Sequence, residues 1–399
     1  MKILVVLPRF PYPLEKGDKL RAYHQIVELS KRHEVFLFAL SHHPVDSHQL
    51  AALQPFCREI CIGYIPRMAA YKNVLRNYLS TKSLQLGYWD SRSSRRACRD
   101  FVARVKPDVI FNQMVRTIPH IARLPYPKVM DFQDALSMNT ERRMEKTKGF
   151  MRHILHFEFK MLRSTEYNAF KIFDALTIIS PSDRDAIPHR QGRDIHILPN
   201  GVDFLYFNTR ETSNSPNLQF DICFTGNMQY HPNIDASCYL VHEVMPLVWQ
   251  RLPEARLVLA GATPKAAVRN LAGPRVTVTG TVSDIRPYYL QSRVFVAPMR
   301  IGSGLQNKLL EAMSMGIPCV TTPLANEALG AVNGQQLLLA NDAQGLAEAI
   351  VKLLEDVTLS ERLTEKASLF VRQHFSWESI GIQLEQILLD AINSYRHNH

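Results

Sequence analysis

The sequence predicts an α/β protein made of two doubly wound parallel-sheet domains that face each other across a cleft. Three observations predict it. Short apolar runs rich in Val, Ile and Leu alternate with helical periodicities along the chain, as strands buried on both faces and joined by crossover helices would. A polar stretch from Asn208 to Asn217, rich in Asn, Ser and Thr with one Pro, interrupts the alternation and has linker composition. The length of 399 residues suits two or three domains at ~100–200 residues each.

Residues 2–7 are apolar and β-branched and read as a buried strand. A turn-rich stretch with Pro11, Pro13 and Gly17 follows. Residues 18–32 then form an amphipathic helix with Ala22, Ile26 and Leu29 on one face, and 34–40 a second strand. That is a βαβ unit, whose crossover should be right-handed. Further strands are expected at 109–113, 128–132, 175–180 and 194–198, with the longest helix over 148–170. After the linker a second series places strands at 220–225, 256–260, 276–279, 294–297, 318–321 and 336–339. Helices over 232–251, 305–315 and 345–355 alternate with them, and the end of the chain reads as two helices split near Phe375 and Ser376. The expected domains are 1–205 and 206–375, followed by a final helix over 376–399. Ligands of such folds bind beyond the carboxyl ends of the strands, at helix N-termini, so loops of both halves should build the site.

Composition narrows the classes. With 46% apolar and 21% charged residues the chain is neither disordered nor a membrane bundle. The apolar opening is too short for a signal peptide, and no run approaches the ~20 apolar residues of a spanning helix. Six cysteines show no metal-ligand spacing, Cys57 and Cys61 lying four apart without a second pair; reduced thiols in a cytoplasmic protein are expected. No His-x3-His pair accompanies a carboxylate cluster, so no metal is expected. Charge is uneven: residues 1–200 hold 32 Lys and Arg against 19 Asp and Glu, and the remainder 15 against 18. Residues 67–106 alone hold ten basic side chains against Asp90 and Asp100. The first half should therefore face something anionic: nucleic acid, an acidic lipid surface or a phosphorylated acceptor. Tyr71, Tyr78, Tyr88 and Trp89 lie among these cations, but no nucleic-acid motif accompanies them. An acidic membrane surface and a solvated helical face are the two readings of this region. Asp183-Arg-Asp185 follows Ser180-Pro-Ser182 at a helix start, where it reads as capping rather than a metal site.

The segment Pro298 to Pro318 carries the strongest local signal. A strand ends, Gly302 and Gly304 turn the chain, and a helix opens near Leu305. Free N–H groups there suit a phosphate oxygen. Lys308 and Glu311, three apart, share a helix face. Lys308 would reach a phosphate while Glu311 accepts from vicinal ribose hydroxyls. A plain glycine turn before a surface helix with an internal Lys–Glu pair fits the same residues.

Four segments together resemble one family: Arg9 to Gly17, Leu198 to Asp203, Phe224 to Asn233, and Gly302 to Pro318. The chain resembles the GT-B-fold glycosyltransferases of family 4, the retaining, nucleotide-sugar-dependent group. Within it, the chain is similar to bacterial sugar transferases of exopolysaccharide and exosortase gene clusters. The resemblance implies two Rossmann-like domains, with the final helix crossing back onto the first. It implies that Gly17 approaches the donor diphosphate, that Lys308 contacts it and that Glu311 holds the ribose. It implies that Gly280 to Ser283, with Val282, wall the base through backbone groups, and that Asp134 faces the acceptor. Asn227 and Asn233 lie where the family commonly has Arg and Lys, and Arg300 is the substitute cation. Ser303 replaces the first Glu of the family's Glu-x7-Glu motif, ahead of Gly304 and Leu305, and Gln133 replaces a His.

The expected activity is transfer of a sugar from a nucleoside diphosphate sugar to a lipid-linked or saccharide acceptor, without cofactor or metal. The protein would be cytoplasmic, docked through residues 67–106 on the inner face of the cell membrane. A sugar-nucleotide epimerase of the same fold and a catalytically idle membrane- or partner-binding relative are the alternatives. A dinucleotide oxidoreductase is disfavoured because the loop from Pro8 to Gly17 lacks Gly-x-Gly-x-x-Gly.

Overall fold

The apolar runs become strands because each is buried on both faces, which only a parallel sheet covered by helices provides. The computed structural model describes residues 1–145, 147–187, 194–207, 218–302 and 304–398; the expected linker 208–217 and Ser303 lie outside them. The chain forms two units, Met1–Pro199 with Trp377–His399, and Asn200–Ser376.

The first unit contains β1 (Lys2–Leu7), β2 (Glu34–Ser41), β3 (Glu59–Tyr64), β4 (Val109–Gln113), β5 (Lys128–Asp131), β6 (Ala175–Ile178) and β7 (His196–Ile197). They form one parallel sheet in the order β3-β2-β1-β4-β5-β6-β7. Alternate residues of β1 feed opposite layers. Leu4 and Val6 join the cluster holding Phe38, Phe101 and Leu162; Ile3, Val5 and Leu7 join the one holding Ile26, Leu29 and Leu384. The helix Trp377–Asn398 belongs to that second layer. Trp377 stacks on His24 with centroids 4.6 Å apart, and a Cβ on Gly381 would lie 2.6 Å from Glu28 Cβ, so glycine lets this helix close on Gly17–Ser30. Arg32 Nε and His33 Nε2 bind Glu385 at 2.6 and 2.8 Å.

The edge strand β3 is absent from the sequence expectation. It is half-buried, and Gly63 within it tolerates no side chain, since a Cβ would meet the Phe38 ring at 2.6 Å. Neither its pattern nor its glycine advertises a strand.

The second unit contains β8 (Phe220–Thr225), β9 (Leu257–Ala260), β10 (Val276–Val278), β11 (Ser292–Ala297), β12 (Cys319–Thr321) and β13 (Leu338–Leu339), parallel in the order β10-β9-β8-β11-β12-β13. The single helix expected over 232–251 is three pieces: His231–Tyr239, a π turn Leu240–Val244, and Met245–Arg251. Pro246 explains the break, because its ring lacks an N–H and would collide with a carbonyl one turn back, which a widened turn avoids.

Each sheet has one topological switch point, where successive connections leave in opposite directions: β1/β4 in the first unit and β8/β11 in the second. Crevices beyond the carboxyl ends of strands at such points are where open α/β sheets bind ligands.

Candidate active site

Beside the second unit's switch point, the loops after β8 and β9 are drawn together by glycines. Gly226 and Gly261 touch so closely that a Cβ on Gly261 would sit 1.8 Å from Gly226 O, and both have positive φ (157° and 148°). A Cβ on Gly226 would strike Asn233 Nδ2 at 2.7 Å. Asn233 is buried, and its Nδ2 donates to Asn227 O at 2.9 Å. Asn227 Oδ1 accepts from Gln229 N at 2.9 Å and Thr263 Oγ1 at 3.3 Å, holding the loop from outside.

After β11 the chain turns through Gly302 and Gly304, at φ 107° and 91°, a region that favours glycine. The helix begins at Asn307, two residues later than expected, beyond half-buried Leu305. Its N-cap residue, Gln306, makes no side-chain capping bond, and Asn307 Oδ1 is buried without a hydrogen bond among the described residues. An uncapped helix N-terminus presents N–H groups and the positive end of the dipole to the crevice.

The side chains the sequence singles out meet here. Lys308 Nζ donates to Asn233 Oδ1 at 2.5 Å, lies 3.9 Å from Met299 Sδ, and sits 4.7 Å from the Phe224 ring centroid. Burial among these groups lowers its pKa to about 7, against the pull of Glu311. Glu311 Oε2 accepts from Tyr289 Oη at 2.7 Å, and Tyr289 in turn bonds Thr225 Oγ1 at 2.6 Å. Burial raises the Glu311 pKa, opposed by the Tyr289 bond and Lys308. Glu311 Oε1 has no hydrogen bond among the described residues. Gly280 turns at φ 74° after β10, with half-buried Val282 beyond it.

Arg300 is a correction. Rather than a free second cation, it is held by Asp235 at 3.0 Å and Glu243 at 3.2 Å, and it stacks 4.0 Å from the Tyr239 centroid. Two carboxylates neutralise it, whereas Lys308 has no carboxylate within ion-pair distance among the described residues. Tyr289 and Thr225, which orient Glu311, escape sequence reasoning because both are strand- or helix-borne core residues without a motif.

In the first unit, Gly17 opens the helix Gly17–Ser30 and Asp134 follows β5. Asp134 Oδ2 accepts from Asn139 Nδ2 at 2.8 Å, and its pKa is pushed up to about 6, first by burial and then by Asp183. Gln133 is held at φ 66° with Nε2 buried and unbonded among the described residues. Asp131 is structural: it accepts from Arg21 Nε at 2.6 Å and Gln25 Nε2 at 3.2 Å. Asp183 N takes the Ser180 Oγ cap at 3.1 Å, which is the capping the sequence suggests.

Residues 219–356 match the family model described as "Glycosyl transferases group 1". The second unit carries a glycosyl transferase group 1 domain. Over 395 residues the chain is 22% identical to an uncharacterized 44.6 kDa protein in the cps region of Klebsiella pneumoniae, covering 95% of this chain and 97% of that one. It is 24% identical over 271 residues to the lipopolysaccharide core biosynthesis mannosyltransferase LpcC of Rhizobium leguminosarum, covering 60% of this chain and 75% of that one. Among solved structures, Anabaena HepE in complex with UDP and glucose is similar at 17% identity and TM-score 0.64, covering 97% of this chain and 99% of that one. The transferase fold is thus GT-B, two parallel-sheet Rossmann-like domains of seven and six strands.

A ligand-linked proton follows from Lys308. Free, the ammonium titrates near 7; a diphosphate beside it favours the charged form and raises that value. Below pH 7 the proton is already present; above it, binding must take one up. Nucleoside diphosphate affinity is expected to fall about tenfold per pH unit between pH 7 and 9. Calorimetry at pH 8 in buffers of different ionisation heat should register uptake approaching one proton, and Lys308→Met should abolish it.

Proposed function

We propose that this glycosyltransferase moves a sugar from a nucleoside diphosphate sugar to a lipid-linked or saccharide acceptor in bacterial surface polysaccharide or glycolipid synthesis, as a retaining family 4 enzyme. The observation that carries the reading is the Lys308–Asn233 and Glu311–Tyr289 arrangement beside an uncapped helix at the second sheet's switch point. The hard step is departure of the diphosphate while positive charge builds on the anomeric carbon. Lys308 and the helix N–H groups would stabilise the leaving charge in a water-poor crevice, where such groups act most strongly. This cationic clamp would neutralise the diphosphate without a metal. Glu311 would hold the ribose, and the backbone from Gly280 to Val282 the base. In this reading Asp134 of the first unit faces the acceptor, and Gly17 belongs to the loop that approaches the donor diphosphate. A thermal-shift screen over nucleoside diphosphates and their sugars identifies the donor. Acceptor-dependent release of nucleoside diphosphate then separates transfer from an epimerase, which turns donor over alone.

The same reading places the enzyme on a membrane surface. Among the described residues no helix is long and apolar enough to cross a membrane, but the helix Arg67–Leu79 is amphipathic inside out. Its inner face is small and polar: Ala70 is buried, Asn77 Nδ2 donates to Ser83 O at 2.8 Å and Asn73 Nδ2 to Asp90 O. Its outer face shows Met68, Tyr71, Leu75 and Leu79, the last two 62% and 75% exposed, flanked by Arg67, Lys72 and Arg76. An exposed apolar stripe with basic flanks suits an anionic lipid interface. Leu75→Ser and Leu79→Ser are each expected to weaken binding to anionic vesicles about tenfold, from the apolar area no longer buried. Sedimentation with vesicles measures it; unchanged binding by the double variant would sink the docking face.

A further inference from the structure

Behind that helix lies a cavity of about 520 Å³, apart from the residues assigned above to the donor and the acceptor. Arg76, Lys82, Arg92 and Arg95 line it, with Asp90 as its one acidic wall residue among those described. Asp90 is shared by Arg95, at 3.1 Å, and Arg76, at 3.8 Å. Lys82 also acts on Asp90 electrostatically, and Arg92 has no carboxylate within ion-pair distance among the described residues, so four cations share one carboxylate and the cavity carries excess positive charge. Arg92 is also the first residue of the helix Arg92–Val105, whose positive dipole end adds to that charge.

The remaining wall mixes hydroxyls with the amides of Asn77 and Asn168 and with apolar Leu86, Pro119 and Met161. Thr165 Oγ1 donates to Met161 O and Thr81 Oγ1 to Ser80 O, at 2.7 and 2.8 Å. With their protons spent on carbonyls, both oxygens are left as acceptors, which suits the hydroxyls of a polyol. Thr81, at φ 50°, closes the helix Arg67–Leu79: the chain turns left-handed there and Lys82 N donates back to Asn77 O at 2.9 Å. Cations and hydroxyl acceptors lining one cavity match a phosphorylated polyol.

We propose that this cavity binds the phosphoglycerol headgroup of an anionic phospholipid. The proposal rests on the docking reading above and commits to a lipid for a geometric reason: Arg76 enters the cavity from the helix whose Leu75 and Leu79 face outward. Acyl chains would lie along the apolar stripe while the phosphate enters between Lys82 and Arg92.

The experiment compares two vesicle types of equal charge, phosphatidylcholine with a fixed share of either phosphatidylglycerol or phosphatidylserine. The intact protein should bind the phosphatidylglycerol vesicles about tenfold more tightly, the scale of one charged hydrogen bond. Lys82→Gln with Arg92→Gln, both exposed, should erase that preference. Arg96→Gln with Arg99→Gln, exposed on the same helix outside the cavity, should weaken both vesicle types alike and keep it. Leu75→Ser with Leu79→Ser should also keep the ratio while lowering both affinities. Equal binding to both vesicles, or a preference that survives Lys82→Gln with Arg92→Gln, overturns the pocket and leaves docking standing. Absence of binding to any vesicle overturns docking and, with it, the lipid assignment. Calorimetry with glycerol 1-phosphate adds a soluble probe: binding lost in the Lys82/Arg92 variant supports the cavity, and no binding by the intact protein counts against it. Glycerol phosphate binding together with indifferent vesicles assigns the cavity to a free polyol phosphate and overturns the lipid.

Discussion

Lys308→Met is expected to lower turnover about 10²- to 10³-fold, the range for losing one preorganised group aimed at developing charge. The charge on the departing diphosphate grows as the glycosidic bond breaks, so the ammonium's interaction is stronger in the transition state than in the bound donor. Interactions of that kind show in the catalytic rate more than in affinity. Donor affinity near neutral pH should fall by about tenfold or less, since the helix N–H groups remain. Methionine is a good helix former and close in length to the lysine stem, so the helix Asn307–Ser314 should persist. Folded Lys308→Met protein that turns over normally with the donor identified by the thermal screen would remove Lys308 from the mechanism.

Glu311→Gln should weaken nucleoside diphosphate binding about ten- to hundredfold, since hydrogen bonds to a charged acceptor are worth roughly 1.5–3 kcal/mol. The structure sharpens this expectation. Glu311 Oε2 is occupied by Tyr289 Oη at 2.7 Å, so the glutamine oxygen would keep that bond and turn its amide toward the ligand. An amide donor cannot accept from ribose hydroxyls. Turnover at saturating donor should change much less than affinity, the reverse of the lysine variant. Calorimetry with nucleoside diphosphate gives the affinity, and equal binding by wild type and variant would show that the ribose lies elsewhere.

Strand placement was legible because parallel strands are buried on both faces and so appear as unbroken apolar runs. Lys308 and Glu311 were legible because a spacing of three on a helix fixes a shared face whatever else surrounds it. Arg300 shows where such reasoning stops. Its charge is evident in the sequence, but its partners Asp235 and Glu243 come from 65 and 57 residues away and only the folded chain brings them to it. Tyr289 was silent for a similar reason: a tyrosine with a buried ring has no spacing rule that aims its hydroxyl. The helix Arg67–Leu79 misleads in a third way, since an apolar stripe on a helix normally faces inward. Here Asn73 and Asn77 take the inward side, and the carbonyls they satisfy, Asp90 O and Ser83 O, belong to a neighbouring segment.

The packing of Trp377, Ile380, Leu384 and Leu388 into the layer that contains Ile26, Leu29 and Leu37 fixes an order of events during synthesis. Residues 200–376 can close their own core as soon as they leave the ribosome, whereas the unit begun by Met1 stays open on one side until residues 377–398 emerge. The part of the chain made first is thus completed last. Through that interval the apolar face of Gly17–Ser30 is uncovered and prone to association with other nascent chains, and a ribosome that stops short of Trp377 releases a protein with that face permanently bare.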